Sequence, residues 1–145
     1  MEEVSLLLDT MRFLGWFNFI LLLFNTSLFI LRRSTLKRSS KLENPPRAAF
    51  VKQVRFLAIV HPWTGSVLML SALLHGYLAT GGFILYSGSL VFLSVLAQSV
   101  VYLLGKYVPA MKNKWRPLHR ALMIVTWLSF FLHLLAPESI WFPII

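Results

Sequence analysis

The chain has 145 residues, is 57% hydrophobic and 13% charged, lacks cysteine and carries a formal net charge of +9, with a mean hydropathy of +0.71. A water-soluble domain of this size cannot hide that much apolar surface, and without cysteine there are no disulfides, thiolate metal sites or thiol chemistry. Four apolar runs, each close to the ~20 residues needed to cross a bilayer core, and no alternating strand pattern exclude a β-barrel.

The sequence thus predicts an all-α polytopic membrane protein, a four-helix transmembrane bundle forming one domain over 1–145. Its spans are expected near 13–31, 56–79, 83–104 and 118–135. The first is preceded by MEEVSLLLD, acidic rather than basic, with no small-residue cleavage site after it, so a retained span is expected rather than a signal peptide. Asn18 and Asn25 lie seven apart on one face of this span. Helix–helix hydrogen bonding is the expected role, with a quinone contact as the alternative.

The stretch from Arg32 to Phe50, RRSTLKRSSKLENPPRAAF, reads as a polar linker, and Pro45-Pro46 bars a continuous helix through it. A basic loop is expected over 32–55. The second span contains HPWTGSVLMLSALLH, with Pro62 directly after His61 marking a helix start or a kink. A short Thr80–Gly82 turn leads to the third span, and a second basic segment leads to the fourth, which contains WRPLHRALMIVTWLSFFLH.

Thirteen of the 14 Lys and Arg fall in Arg32–Arg55 and Lys106–Arg120; only Arg12 lies elsewhere. The positive-inside rule puts both segments in the cytoplasm and both termini outside. The expected location is a bacterial or archaeal cytoplasmic membrane. Most of the charge is then an orientation signal, and nucleic-acid binding is not expected. A basic surface can still dock an acidic partner or anionic lipid.

All four histidines fit one scheme. His61 and His75 are 14 positions apart, as are His119 and His133. Fourteen positions are nearly four helical turns, so both members of a pair face almost the same way, ~21 Å apart along the axis. Spans two and four should run parallel, because one span separates them. Packed side by side, they would bring His61 to His119 at the cytoplasmic level and His75 to His133 at the outer level. A single such histidine would usually be a hydrogen-bonded packing residue, but ionisable residues inside a membrane are functional candidates. Two imidazoles per level leave a tetrahedral zinc site half filled, and a proton relay would be expected to include Asp or Glu, which the spans lack. Axial ligation of haem iron needs one histidine on each face of a flat macrocycle, which the facing pairs supply. The expectation is two b-type haems; covalent attachment is excluded because there is no C-x-x-C-H.

HPWTGSVLMLSALLHGYL and the Leu-His-Arg and second Leu-His of WRPLHRALMIVTWLSFFLH resemble the paired-histidine helices of the ferric-reductase-like and NADPH oxidase membrane domains, and of the four-helix di-haem core of respiratory cytochrome b. The resemblance covers roughly Arg55 to Ala136. It implies a di-haem cytochrome b carrying electrons across the membrane. Those families generally have more helices, and the reductases continue into a flavin and nicotinamide domain; this chain has no G-x-G-x-x-G. Pro137-Glu138 is similar to the Pro-Glu of quinol-oxidising cytochromes b, although a helix stop with an exposed carboxylate is the expected reading.

Several other residues fit this scheme. Arg120, Arg116, Lys114 and Arg55 near the inner pair, and Arg12 near the outer one, are candidates for haem propionates. Gly15, Gly65, Gly76 and Gly88 could let a macrocycle approach the backbone or could serve close helix packing. The expected function is transmembrane electron transfer as the membrane subunit of a larger oxidoreductase complex. It would link a quinone pool or a cytoplasmic donor to an acceptor on the opposite face, with lipid and other subunits as partners and a quinone as a candidate further ligand. The alternatives are a haem-free scaffold or assembly subunit, and a self-sufficient quinol-dependent ferric reductase.

Overall fold

A computed structural model describes residues 2–39, 44–82, 84–137 and 141–142. It is 91% helical. Four helices carry the chain: α1 (Glu2–Ser39), α2 (Asn44–Thr80), α3 (Ser87–Tyr107) and α4 (Trp115–Leu135). Each contains a segment long and apolar enough to cross a membrane: Glu2–Leu31, Val51–Thr80, Ser87–Tyr107 and Trp115–Leu135. Phe13, Trp16, Ile20, Trp63, Leu70 and Leu128 stay exposed on the helix surfaces. That is the pattern of a bundle whose outer solvent is hydrocarbon, since burial among protein neighbours is not what keeps these side chains from water.

The helices alternate in direction. Asn18 and Asn25 of α1 meet Ser71 and Thr64 of α2 in reverse order. Gln98 and Tyr102 of α3 meet Thr126 and Trp115 of α4 in the same reversed sense. α1 closes the ring against α4, where Trp127 Nε1–H donates to Thr26 Oγ1 at 3.0 Å and Phe130 stacks on Phe19 with centroids 5.4 Å apart. Backbones approach most closely between α1 and α2 and between α3 and α4, less between α2 and α3, and hardly at all between α2 and α4. The histidine-bearing helices therefore face each other diagonally across the bundle, where the sequence had suggested side-by-side packing. Leu22, Leu68 and Val95 form the buried core, with Trp127 and Phe130 packed against it.

The helices extend further than the expected spans at the basic end. α1 continues through Arg32, Arg33, Lys37 and Arg38, and α2 begins at Asn44. Lys and Arg are good helix formers. Pro45 and Pro46 occupy the first turn of α2, where a missing N–H leaves no intrahelical bond unmade. Most of the expected 32–55 loop is thus helical; Lys41 and Glu43 lie outside the described residues. Pro62 neither starts nor ends α2, which runs through it.

At the opposite end α2 stops at Thr80, and Gly81 turns the chain with φ +69°, a conformation that favours glycine. α3 begins at Ser87 because Leu85–Tyr86 are extended and pair antiparallel with Trp141–Phe142. Ser89 secures this start, its hydroxyl donating to Ile84 O at 2.9 Å and accepting Tyr86 N–H at 3.3 Å. The two-residue ribbon joins the α2–α3 connection to the tail beyond α4.

Candidate functional site

The heptad positions of α2 and α4 build the centre of the bundle. His61, Leu68 and His75 are seven apart on α2; His119, Thr126 and His133 are seven apart on α4. Leu68 is 6% and Thr126 0% exposed, so a packed middle layer separates two histidine levels.

At the basic end the His61 and His119 rings face each other with centroids 6.0 Å apart and planes at 72°. At the other end His133 lies within electrostatic reach of His75. Levels 61–119 and 75–133 make α2 and α4 parallel, as the sequence predicts. His75 differs from the other three in its orientation. Its Cε1–Nε2 edge faces Gly15 of α1, with Cε1 3.4 Å and Nε2 3.9 Å from an ideal Cβ there.

The two helices hold their histidines differently. The Nδ1 of His119 lies 3.2 Å from Gln98 O, and that of His133 lies 3.0 Å from Ser87 Oγ, both on α3. Each α4 ring also meets an aromatic edge: Trp115 against His119 at 6.2 Å and Tyr86 against His133 at 5.9 Å. By contrast, Nδ1 of His61 and Nδ1 of His75 are buried without a hydrogen-bond partner. Buried polar atoms in that state are uncommon and call for an explanation.

α3, where the sequence reading singled out only Gly88, supplies both anchors. Gln98 uses its backbone oxygen for His119 and its side-chain Nε2–H for Thr126 Oγ1, at 2.6 Å. The Thr126 hydroxyl in turn donates to Leu122 O at 2.9 Å. The available signal was a glutamine deep in an otherwise apolar span, which needs a polar partner in hydrocarbon.

The remaining candidates divide. Arg120 lies over the Phe29 ring of α1 at 5.3 Å and Arg116 over Trp115 at 5.4 Å, one and three positions from His119. Arg55, six positions before His61, is exposed, as is Lys114. Arg12 is exposed and 3.8 Å from Asp9, one turn away on the same helix. The glycines seat side chains: Gly15 takes His75, while Gly76 and Gly88 both border Tyr86, and Gly65 opens toward Asn25. Asn18 and Asn25 are engaged between helices, accepting from Ser71 and Thr64. Glu138 lies outside the described residues.

No group of three or more His, Cys, Asp or Glu gathers among the described residues. No family model, curated protein or solved structure matches the chain.

Proposed function

We propose that this chain is a membrane cytochrome b that carries electrons across the bilayer through two non-covalent haems, one at each histidine level. One observation carries the reading: imidazoles from two parallel, diagonally opposed helices meet at 6.0 Å between centroids, with a second pair fourteen positions along. Two metal–imidazole bonds of ~2 Å, added to the distance from each nitrogen to its ring centre, need centroids ~6 Å apart. Nδ1 of His61 and of His75 is buried without a protein partner, an orphaned polar atom on each α2 ring that a purely packing role leaves unexplained.

In this reading His61 and His119 hold one iron, and His75 and His133 the other. Haem supplies one-electron chemistry over a range of potentials that ligands and surroundings adjust. The chain's own residues hold the imidazoles at fixed levels, with Gln98 and Ser87 anchoring the α4 rings. The middle layer of Leu68, Thr126, Val95 and Trp127 keeps the two levels apart and excludes water. Arg120 and Arg116 offer cations at the basic end for propionates. The positive-inside rule puts that end in the cytoplasm. A donor there, or a quinone in the membrane, and an acceptor on the opposite face belong to partner molecules, so the chain acts as a subunit of a larger redox complex.

A second reading, a haem-free scaffold, is favoured by the position of His75 against Gly15 of α1, the posture of a histidine used to pack helices. The purified protein separates the two. A reduced-minus-oxidised difference spectrum with a b-type α-band supports electron transfer, and its absence from chain isolated with haem supplied leaves the scaffold. Reduction of that band by a quinol without added protein would point to a quinone site.

A further inference from the structure

Ser87 is the first residue of α3 and is fully buried at 0% exposure. Its hydroxyl oxygen lies 2.6 Å from Pro137 O and 3.0 Å from His133 Nδ1. A hydroxyl has one proton to donate, and a carbonyl can only accept. The short contact with Pro137 O therefore takes the Ser87 proton; otherwise two oxygen lone pairs would face each other at 2.6 Å. What remains toward His133 is a lone pair, so Nδ1 must carry the ring proton and Nε2 is left as the bare nitrogen. His119 reaches the same state more directly, because its partner is the Gln98 carbonyl.

We infer that Ser87 is a positioning residue that fixes His133 as its Nδ1–H tautomer, pre-forming Nε2 as a metal-ligating nitrogen, through a relay ending on the Pro137 carbonyl beyond α4. The relay deepens the haem reading for the level it serves, and it makes one site depend on the chain outside the membrane span. His61 and His75 lack any such partner at Nδ1, so at each level only the α4 imidazole is anchored at that nitrogen. Donation from Nδ1–H to an acceptor also raises the ligand basicity of the opposite nitrogen, which stabilises the oxidised metal and lowers its potential.

The tautomer belongs to the haem-free chain and is tested there first. Histidine labelled with 15N distinguishes a protonated from a bare ring nitrogen, and the His133 signal is the one lost in His133→Gln. In the haem-free protein His133 should give the Nδ1–H signature, Ser87→Ala should abolish it, Ser87→Thr should retain it, and His119 should be unchanged in both. An Nε2–H signature for His133 in the unaltered protein, or an unchanged signature in Ser87→Ala, overturns the inference. A purely structural role for Ser87 would disturb His119 as well, and that result also overturns it. In haem-loaded protein Ser87→Ala should raise the midpoint potential of one component and leave the other in place; two unmoved potentials overturn the tuning role. Failure to take up haem would count against the electron-transfer reading and would leave the tautomer result standing on its own.

Discussion

At the scale of single residues, the bundle depends on a few side chains that fit only where a neighbour is small. Tyr86 is one. An alanine methyl at Gly88 would come within 2.5 Å of the Tyr86 ring, and one at Gly76 within 2.9 Å of its hydroxyl. Gly88→Ala should therefore destabilise the protein by ~1–3 kcal/mol, the usual range for overpacking, and should move Tyr86 away from His133. Gly15→Ala meets only ordinary contact with His75 at 3.4 Å and should be tolerated. Denaturant titration in detergent compares the two. Pairing is tested at the same scale: His61→Ala and His119→Ala should abolish the same spectral component, and His75→Ala and His133→Ala the other. Loss of different components from His61→Ala and His119→Ala would contradict the parallel levels. The histidine levels were legible in the sequence, because a fourteen-residue spacing survives any packing of two parallel helices. The anchors were not, since Ser87 and Gln98 find their partners 46 and 21 positions away, and no local pattern encodes that.

At the scale of elements, α1 and α2 are joined by a polar ladder with heptad spacing. Asn18 accepts from Ser71, and Asn25 accepts from Thr64 at 2.9 Å. Hydrocarbon outside the bundle gives apolar faces no reason to prefer each other over lipid, so such bonds and close packing must select the partner. A double-mutant cycle on Asn18→Ala and Ser71→Ala should show coupling of ~0.6 kcal/mol and no more than ~1.7 kcal/mol, and coupling indistinguishable from zero would remove the ladder from the account. The seven-residue spacing of the asparagines pointed to helix contact, and the partners bear it out. The helix ends were harder to read. Charge and proline suggested a loop from Arg32 onward, yet α1 runs to Ser39 and α2 begins at Asn44. Basic residues mark where a span leaves the membrane without marking where its helix stops. The start of α3 was similarly obscured, because extended pairing of Leu85–Tyr86 with the tail overrides a hydrophobic run that reads as continuous.

At the scale of the whole molecule, four apolar helices were legible from the apolar runs along the sequence, whereas their diagonal arrangement depends on side-chain contacts that hydropathy does not report. Orientation follows from charge: reporter fusions between α1 and α2 should read cytoplasmic, and a fusion after Ile145 should read outside. The concentration of basic residues at one end also suits an acidic partner or anionic headgroups, with Lys and Arg steering the encounter. Neutralising Lys37, Arg38 and Lys41 together should slow haem reduction by the native donor, more so at raised ionic strength; unchanged reduction would leave this charge as an orientation signal. The central claim is that the two histidine levels hold two haems. Its most direct test is a pyridine haemochrome assay with protein quantitation on chain purified after expression with ample haem. The account predicts two extractable b-type haems per chain, both six-coordinate and low-spin; a count near zero, or near one, would contradict it.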